Sequence, residues 1–332
     1  MQVVLSLIIF LLGLNLYAAV PMDELQAIDI NGTKQWIFQY AHDRSKPVVL
    51  FIHGGPGSPL MPYSRAWDDA FAKEFVVVHW DQRGAGKSYD PLVSPSTYNL
   101  EQVVSDGIQV VDFLREKFNQ QKIILVGHSW GSIVGAHLAT ASPELFRAYI
   151  SVGTATNMKA SEALRYSLLR EKVLTSGRVE AIQRLEALGS PPFLTVEKFE
   201  EFGLLWLEFM GWQHTSYRHS VNDFIAAIGN SKEYSPTDLE NAAVGTKVWV
   251  EAYGPTLASY DASRSILALQ VPVFFAQGRF DLNTPTSLAM NYFQLLNAPN
   301  GKKWVDFEKS AHFPMYDEPE RFLDLLKEAA TR

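Results

Sequence analysis

Short apolar segments that alternate with helical patterns constrain the fold of this chain more than any other feature. Six mostly apolar runs of four to six residues lie at 48–52, 75–78, 123–126, 148–152, 271–276 and 304–307. Strands of this kind are typical of parallel sheets, because helices cover both of their faces. Apolar residues recur at three- and four-residue steps, as in helices, at 100–118, 130–141 and 319–330. The alternation predicts an α/β chain with a mostly parallel, doubly wound sheet.

This alternation is interrupted once, between about Thr154 and Leu269. The intervening residues have helical spacing, carry many aromatic side chains and contain no strand-like run. We therefore expect a core formed by residues 26–153 and 255–332, with a helical lid at 154–254 inserted between two strands. Such an insertion lies at the carboxyl edge of the sheet, where ligands bind in folds of this class.

The composition excludes several classes of function. Lys and Arg total 29 against 36 Asp and Glu, a formal net charge of -7, and the absence of a basic run argues against a nucleic-acid partner. The chain has no cysteine, so disulfides and thiolate chemistry are excluded. No spacing predicts a metal site, and Asp81 stands where a nucleotide-binding P-loop needs glycine. We expect a site without metal or cofactor.

The N-terminal sequence predicts where in the cell the protein is located. Residues 3–16 are almost entirely apolar and are followed by Ala18 and Ala19. The run is shorter than the roughly 20 residues that span a bilayer, but it fits a secretory signal peptide. We therefore expect residues 1–20 to be a signal peptide or an N-terminal anchor, with any membrane contact made through residues 3–16. The protein would be periplasmic, secreted or membrane-anchored; the alternative is a buried first strand or helix.

A glycine-flanked serine predicts the chemistry. Gly127-His128-Ser129-Trp130-Gly131 directly follows the run 123–126 and opens the helical segment 130–141. In this context the G-x-S-x-G pattern is typical of a tight strand-to-helix turn that exposes a nucleophilic serine. The flanking positions approach neighbouring backbone closely, which favours glycine. Ser129 is therefore the candidate nucleophile.

A base and an acid follow in the chain order that this turn requires, serine then acid then histidine. Asp281 comes just after the run 271–276, and His312 comes five residues after the run that ends at 307. Asp281 would hold the imidazole of His312 in the tautomer whose free nitrogen faces Ser129. The alternatives are a loop histidine for His312 and a helix cap for Asp281.

Two further loops follow strands at the same edge. The segment 53–57, His-Gly-Gly-Pro-Gly, predicts a backbone donor for an oxyanion, and we assign the pair of donors to Gly55 and Trp130. The alternative is that this segment is only a tight turn. Asp81 and Arg83, after the run 75–78, are predicted to form a structural pair.

Four segments together resemble the proline iminopeptidase family of α/β hydrolases: HGGPG at 53–57, DQRGAGKS at 81–88, GHSWGS at 127–132 and GRFD at 278–281. The resemblance covers residues 26–153 and 255–330. It implies the α/β-hydrolase fold, with Ser129, Asp281 and His312 as triad and Gly55 and Trp130 as oxyanion donors. It also implies an aminopeptidase that releases an N-terminal residue from short peptides, whose free amine is bound by acidic lid residues.

The lid offers a candidate for that amine. Glu208 lies among the aromatic residues Trp206, Phe209 and Trp212, and we predict that Glu208 and Trp206 bind substrate. The alternative is an exposed glutamate on an amphipathic helix. Two other functions stay open: a carboxylester or amide hydrolase of small substrates, and a non-catalytic receptor on the same fold. The expected partner is in each case a small molecule or a short peptide.

Overall fold

The structure is a computed structural model that describes residues 20–332. The predicted signal peptide or anchor, residues 1–20, lies outside the described residues except for Val20, so export stays a prediction. Within residues 20–332, no helix combines the length and the apolar character needed to cross a membrane.

One sheet organises the described residues, and its eight strands lie in the order β1-β2-β4-β3-β5-β6-β7-β8. The first two pairings, of β1 with β2 and of β2 with β4, are antiparallel, and all the others are parallel. The predicted α/β-hydrolase fold is thus confirmed. The strands are β1 (Met22–Ile30), β2 (Thr33–Ala41), β3 (Val48–Ile52), β4 (Val76–Asp81), β5 (Ile123–His128), β6 (Phe146–Val152), β7 (Val273–Gly278) and β8 (Lys302–Phe307).

The hairpin β1–β2 is not among the predicted strands. Its outer strand is only partly buried, so it lacks the continuous apolar run that identifies the central strands. A different signal was present in the turn. Asn31 and Gly32 both have positive φ angles, of 45° and 74°. An Asn-Gly pair in a two-residue turn is typical of a β-hairpin.

Helices cover both faces of the sheet. The helices that pack on the core are α1 (Arg65–Phe71), α2 (Leu100–Lys117), α3 (Trp130–Ala141), α10 (Thr286–Leu295), α11 (Pro314–Asp317) and α12 (Pro319–Ala330). The predicted helices 130–141 and 319–330 match α3 and α12, and α2 is one residue shorter than predicted. In α2 the side chain of Asn99 caps the first turn, and Val103, Val110 and Leu114 are buried against the sheet. Each such buried side chain contributes about 1.5–3 kcal/mol.

Between β6 and β7 the chain is helical. It forms α4 (Met158–Ser176), α5 (Val179–Leu188), α6 (Val196–Met210), α7 (Val221–Gly229), α8 (Pro236–Leu257) and α9 (Ala262–Ser265). Four of these helices begin where an Asn, Thr or Ser side chain accepts a hydrogen bond from the first turn, at Asn157, Thr195, Ser220 and Ser235. The predicted lid boundary at residue 254 falls inside α8, which continues through Pro255 to Leu257.

Candidate active site

Ser129 occupies a strained turn between β5 and α3. It is the single residue that joins them, and its φ of 55° lies in the left-handed region that most residues avoid. A Cβ atom on Gly131 would lie 2.1 Å from the carbonyl oxygen of Ile52, so only glycine allows α3 to approach β3 this closely. The turn therefore places Ser129 at the carboxyl edge of the sheet.

His312 and Asp281 meet at the same edge. The imidazole Nδ1 of His312 lies 2.9 Å from Oδ2 of Asp281. Thr284 also donates to this carboxylate, from its backbone N–H at 2.9 Å and from its hydroxyl at 2.7 Å, and Gln277 donates from its amide at 3.2 Å. Asp281 therefore bonds the turn at Thr284, as its alternative interpretation as a cap suggested, and contacts His312 at the same time.

The loop that carries His312 is held from two sides. The backbone N–H of His312 donates to the carbonyl of Thr215, which follows α6 in the chain. The carboxylate of Asp317 accepts from the N–H of Ala311 and from Ser216 and Tyr217. The position of His312 thus depends on the segment between β6 and β7 as well as on the sheet.

A second imidazole, that of His128, packs against His312. Their ring centroids are 4.6 Å apart, and Nε2 of His128 lies 2.8 Å from the backbone oxygen of His312. Burial, together with the nearby His312, holds the pKa of His128 well below its usual range. His128 is therefore neutral and donates its Nε2–H to that oxygen, which helps to fix the loop.

These groups open into a cavity of about 380 Å³, which we call the catalytic cavity. Ser129 and His312 line it, as do Gly55 and Trp130. Trp130 is the first residue of α3, where backbone N–H groups have no partner within the helix. Gly55 has a positive φ of 110°, and a Cβ atom there would lie 2.6 Å from the backbone nitrogen of Gly57. Both residues predicted as oxyanion donors thus border the same space as Ser129.

An adjoining side cavity of about 160 Å³ shares Gly55, Met158 and Arg165 with the catalytic cavity. Its walls are largely aromatic and aliphatic, and they also include the partly buried Glu162. Oε1 of Glu162 accepts a hydrogen bond from the backbone of Phe193, and burial raises the pKa of its carboxyl.

Glu208 requires a correction. Its carboxylate forms ion pairs with Arg178 and Arg184, at 2.5 and 2.9 Å, and it borders neither cavity. The prediction relied on sequence neighbours, but Trp206 points inward on α6 and is buried, while Glu208 points outward. Trp206 is not a wall of either cavity, although its ring lies 4.7 Å from the guanidinium carbon of Arg165.

The predicted pair of Asp81 and Arg83 is also wrong. Arg83 makes two hydrogen bonds, of 2.8 and 2.9 Å, with the buried carboxylate of Asp106 on α2. Asp81 instead accepts from the hydroxyl of Tyr234, and burial raises its pKa to about 7. Asp81 ends β4 and Arg83 lies in the turn that follows, and their side chains bond different neighbours, so closeness in sequence was a poor guide to pairing.

Sequence reasoning missed Glu162 and Arg165, although one signal was available. Along α4, Ser161, Leu169 and Val173 are buried, and Arg165 falls on the same face at a four-residue step from Ser161 and from Leu169. A cation at an inward position of an amphipathic helix is unusual and indicates a partner or a function. Within the described residues, no group of three or more His, Asp or Glu side chains could hold a metal ion.

Comparison with known proteins extends these observations. Residues 47–175 match the sequence family described as the α/β hydrolase fold. The probable aminopeptidase YbaC of Bacillus subtilis (strain 168) is 31% identical over 308 residues, 92% of this chain and 96% of that protein. A proline iminopeptidase of Heyndrickxia coagulans is 28% identical over 306 residues, 90% of this chain and 96% of that protein.

Solved structures share the fold at lower identity. The proline iminopeptidase of Mycobacterium smegmatis superposes with a TM-score of 0.66 at 18% identity, covering 92% of this chain and 97% of the other.

The similarity to YbaC extends over both the sheet and the helices inserted between β6 and β7, because it covers nearly the whole chain. The chain belongs to the α/β hydrolase family, as a relative of proline iminopeptidases.

Proposed function

We propose that this protein is a serine hydrolase that removes the N-terminal residue from short peptides through an acyl-enzyme on Ser129. The observation that carries the proposal is the arrangement at one cavity. Ser129 and His312 both line it, and Nδ1 of His312 lies 2.9 Å from Oδ2 of Asp281. Relatives named as aminopeptidases and proline iminopeptidases support the choice of substrate class.

The chemistry follows from these positions. His312 takes the hydroxyl proton of Ser129 while the serine oxygen attacks the carbonyl carbon of the scissile bond. Asp281 keeps the proton on Nδ1 of His312 and stabilises the imidazolium that forms. The N–H groups of Gly55 and Trp130 donate to the oxyanion. His312 then protonates the leaving amine, and water, activated by the same imidazole, releases the acyl group.

Glu162 is the carboxylate that we assign to the free amine of the substrate. An ammonium in an apolar cleft needs a counter-charge, because burying it unpaired is costly. Glu162 borders the side cavity, which adjoins the catalytic cavity through Gly55 and Met158. Burial raises the pKa of this carboxyl and so disfavours its ionised form. A substrate ammonium beside it would act in the opposite direction and stabilise the ionised form.

The test compares substrates with and without a free amine. We expect the protein to hydrolyse an N-terminal prolyl arylamide and to lose this activity when the proline nitrogen is acetylated. Glu162→Gln should lower kcat/KM on the free-amine substrate by ~10-fold or more, which corresponds to one ion pair of about 1.4 kcal/mol. It should leave a neutral short-chain aryl ester unaffected.

Glu208→Gln is the matched control, because its carboxylate is bound by two arginines outside both cavities. We expect this variant to behave like the wild type on both substrates. Equal hydrolysis of acetylated and free substrates would contradict the amine-binding role.

The second candidate is a carboxylester or amide hydrolase of small neutral substrates. The apolar walls of the side cavity, including Phe193, Phe199 and Leu257, favour an uncharged acyl group and supply the specific observation for it. The same comparison separates the two functions, since an esterase would cleave the aryl ester far better than the arylamide. The non-catalytic receptor has less support, because the hydrogen-bonded His312 and Asp281 share one site with Ser129.

A further inference from the structure

Arg165 is a cation in an unusual setting. Its side chain lines both the catalytic cavity and the side cavity, on the inward face of α4. Its Nε is buried, and it has no hydrogen-bond partner in the part of the chain that the structure describes. Across the same residues, no carboxylate lies within ion-pair distance of the guanidinium; the nearby charges of Asp281 and Glu162 act on it without a direct hydrogen bond.

Aromatic rings hold this guanidinium in place. Its central carbon lies 4.7 Å from the ring of Trp206 and 5.0 Å from that of Phe202. Such cation–π contacts fix the guanidinium against one wall and leave its N–H donors free for a ligand. Burial lowers the pKa of Arg165 to about 10, so the side chain still carries its charge at neutral pH.

Neither of the two carboxylates near Arg165 forms an ion pair with it in the described residues. Asp281 accepts from His312, Thr284 and Gln277. Glu162, which lies one helical turn before Arg165 on α4, accepts a hydrogen bond from the backbone N–H of Phe193. A partly buried cation with no directly bonded counter-charge costs free energy, and a carboxylate that enters the cavity offsets this cost through charge-assisted hydrogen bonds. Arginine is suited to this role because its planar fork matches the two oxygens of a carboxylate.

We propose that Arg165 binds a carboxylate group of the substrate, so that the protein prefers substrates with a negative charge in this cleft. The inference rests on the proposed function only in taking the cavity at Ser129 as the place where substrate binds. Two sources of the carboxylate share this chemistry: the C-terminus of a dipeptide, and an acidic side chain on its first residue.

Calorimetry tests the charge preference without relying on catalysis. The probes are 4-phenylbutyrate and its neutral amide, which differ only in the group that Arg165 would contact. We expect the wild type to bind the carboxylate at least ~10-fold more tightly than the amide, as a charge-assisted pair implies. Arg165→Met should abolish this preference while the amide binds as before, and Arg165→Lys should keep part of it.

Arg170→Met is the matched control, because Arg170 lies on the exposed face of the same helix. It should keep the wild-type preference. Equal affinity for the two probes in the wild type, or no binding of either, would overturn the proposal. A purely structural role for Arg165 would also overturn the proposal. It would appear as an equal loss of affinity for both probes in Arg165→Met, together with equal affinity for both probes in Arg165→Lys.

Kinetics then distinguishes the two sources. One pair of substrates is Pro-Gly and its C-terminal amide; the other is the arylamides of Glu and Gln. We expect Arg165→Met to lower kcat/KM by ~10-fold for the acidic member of one pair and to leave its neutral partner unchanged. If no peptide is cleaved, the aminopeptidase function fails, while the calorimetry still decides the role of Arg165. If peptides are cleaved and Arg165→Met changes kcat/KM for neither acidic substrate relative to its neutral partner, the carboxylate-binding role of Arg165 is wrong while the aminopeptidase function stands.

Discussion

At the residue scale, the carboxylate of Asp281 joins the imidazole to the end of β7. Three groups besides His312 donate to it, namely the N–H and hydroxyl of Thr284 and the amide of Gln277. These donors fix the carboxylate in one orientation. The hydrogen bond from His312 to this fixed carboxylate orients the imidazole, which in the proposed mechanism reduces the reorganisation needed during the reaction.

Replacing this carboxylate should be severe for activity. In Asp281→Asn the amide cannot stabilise the imidazolium and favours the wrong tautomer of His312, so we expect kcat to fall by ~10³-fold or more. The Asn side chain keeps the size of Asp but has one acceptor oxygen fewer for the donors of Thr284 and Gln277, so we expect a lower unfolding temperature in a variant that still folds. Steady-state kinetics and thermal unfolding of the purified variant provide the two measurements.

Asp261→Asn serves as the control, because Asp261 caps α9 and contacts Asn157 away from the cavity. Near-wild-type activity in Asp281→Asn combined with a loss in Asp261→Asn would mean that the acid is assigned to the wrong residue.

Residues at strand ends were predictable, and residues on the inserted helices were not. Ser129, Asp281 and His312 follow β5, β7 and β8, so the parallel sheet itself brings them together. The environment of Glu208 depends instead on Arg178 and Arg184, which other parts of the chain supply. A local sequence pattern does not predict which faces of two packed helices contact each other.

At the scale of elements, the contact between α3 and β3 depends on Gly131. A methyl group there would lie 2.1 Å from the backbone oxygen of Ile52, and backbone cannot move aside as a flexible side chain can. We expect Gly131→Ala to lower the free energy of unfolding by about 2 kcal/mol or more, since overpacking of this kind forces backbone shifts. Activity should fall as well, because Ser129 lies at the start of α3.

Gly203→Ala on α6 is the control for this prediction. Gly203 is exposed, and among residues 20–332 no neighbouring atom lies within 4 Å of the position that a Cβ atom would occupy. The alanine should raise the free energy of unfolding by about 0.5–1 kcal/mol through its better helix propensity. Urea unfolding of both variants measures the contrast, and equal stability of the two would contradict the close-packing argument.

Element boundaries show which signals are local. The helices 130–141 and 319–330 were predicted to the residue, because the tight turn at Ser129 precedes the first and Pro319 begins the second. The predicted lid boundary at residue 254 falls within α8, because Gly254 and Pro255 usually stop a helix and here do not. Packing of Trp249 and Tyr253 against the core accompanies the continuation of this helix.

At the scale of the whole molecule, the sheet and the inserted helices share the site. Two large clusters of buried apolar side chains pack the core, one on each face of the sheet. The segment between β6 and β7 supplies Arg165 and Glu162 to the cavities and Thr215 to the loop of His312. The fold class followed from the pattern of buried strands, whereas the walls of the cavity required the packing of helices that only the structure gives.

The central claim is that Ser129 is the nucleophile of this cavity. A fluorophosphonate probe, which reacts with activated serines, tests it most directly when the labelled peptide is identified by mass spectrometry. The account predicts a single label on Ser129 in the wild type, a much slower reaction in His312→Ala, and no label in Ser129→Ala, whose turnover should also fall by at least ~10³-fold. A label on another serine, or an undiminished label in Ser129→Ala, would contradict it.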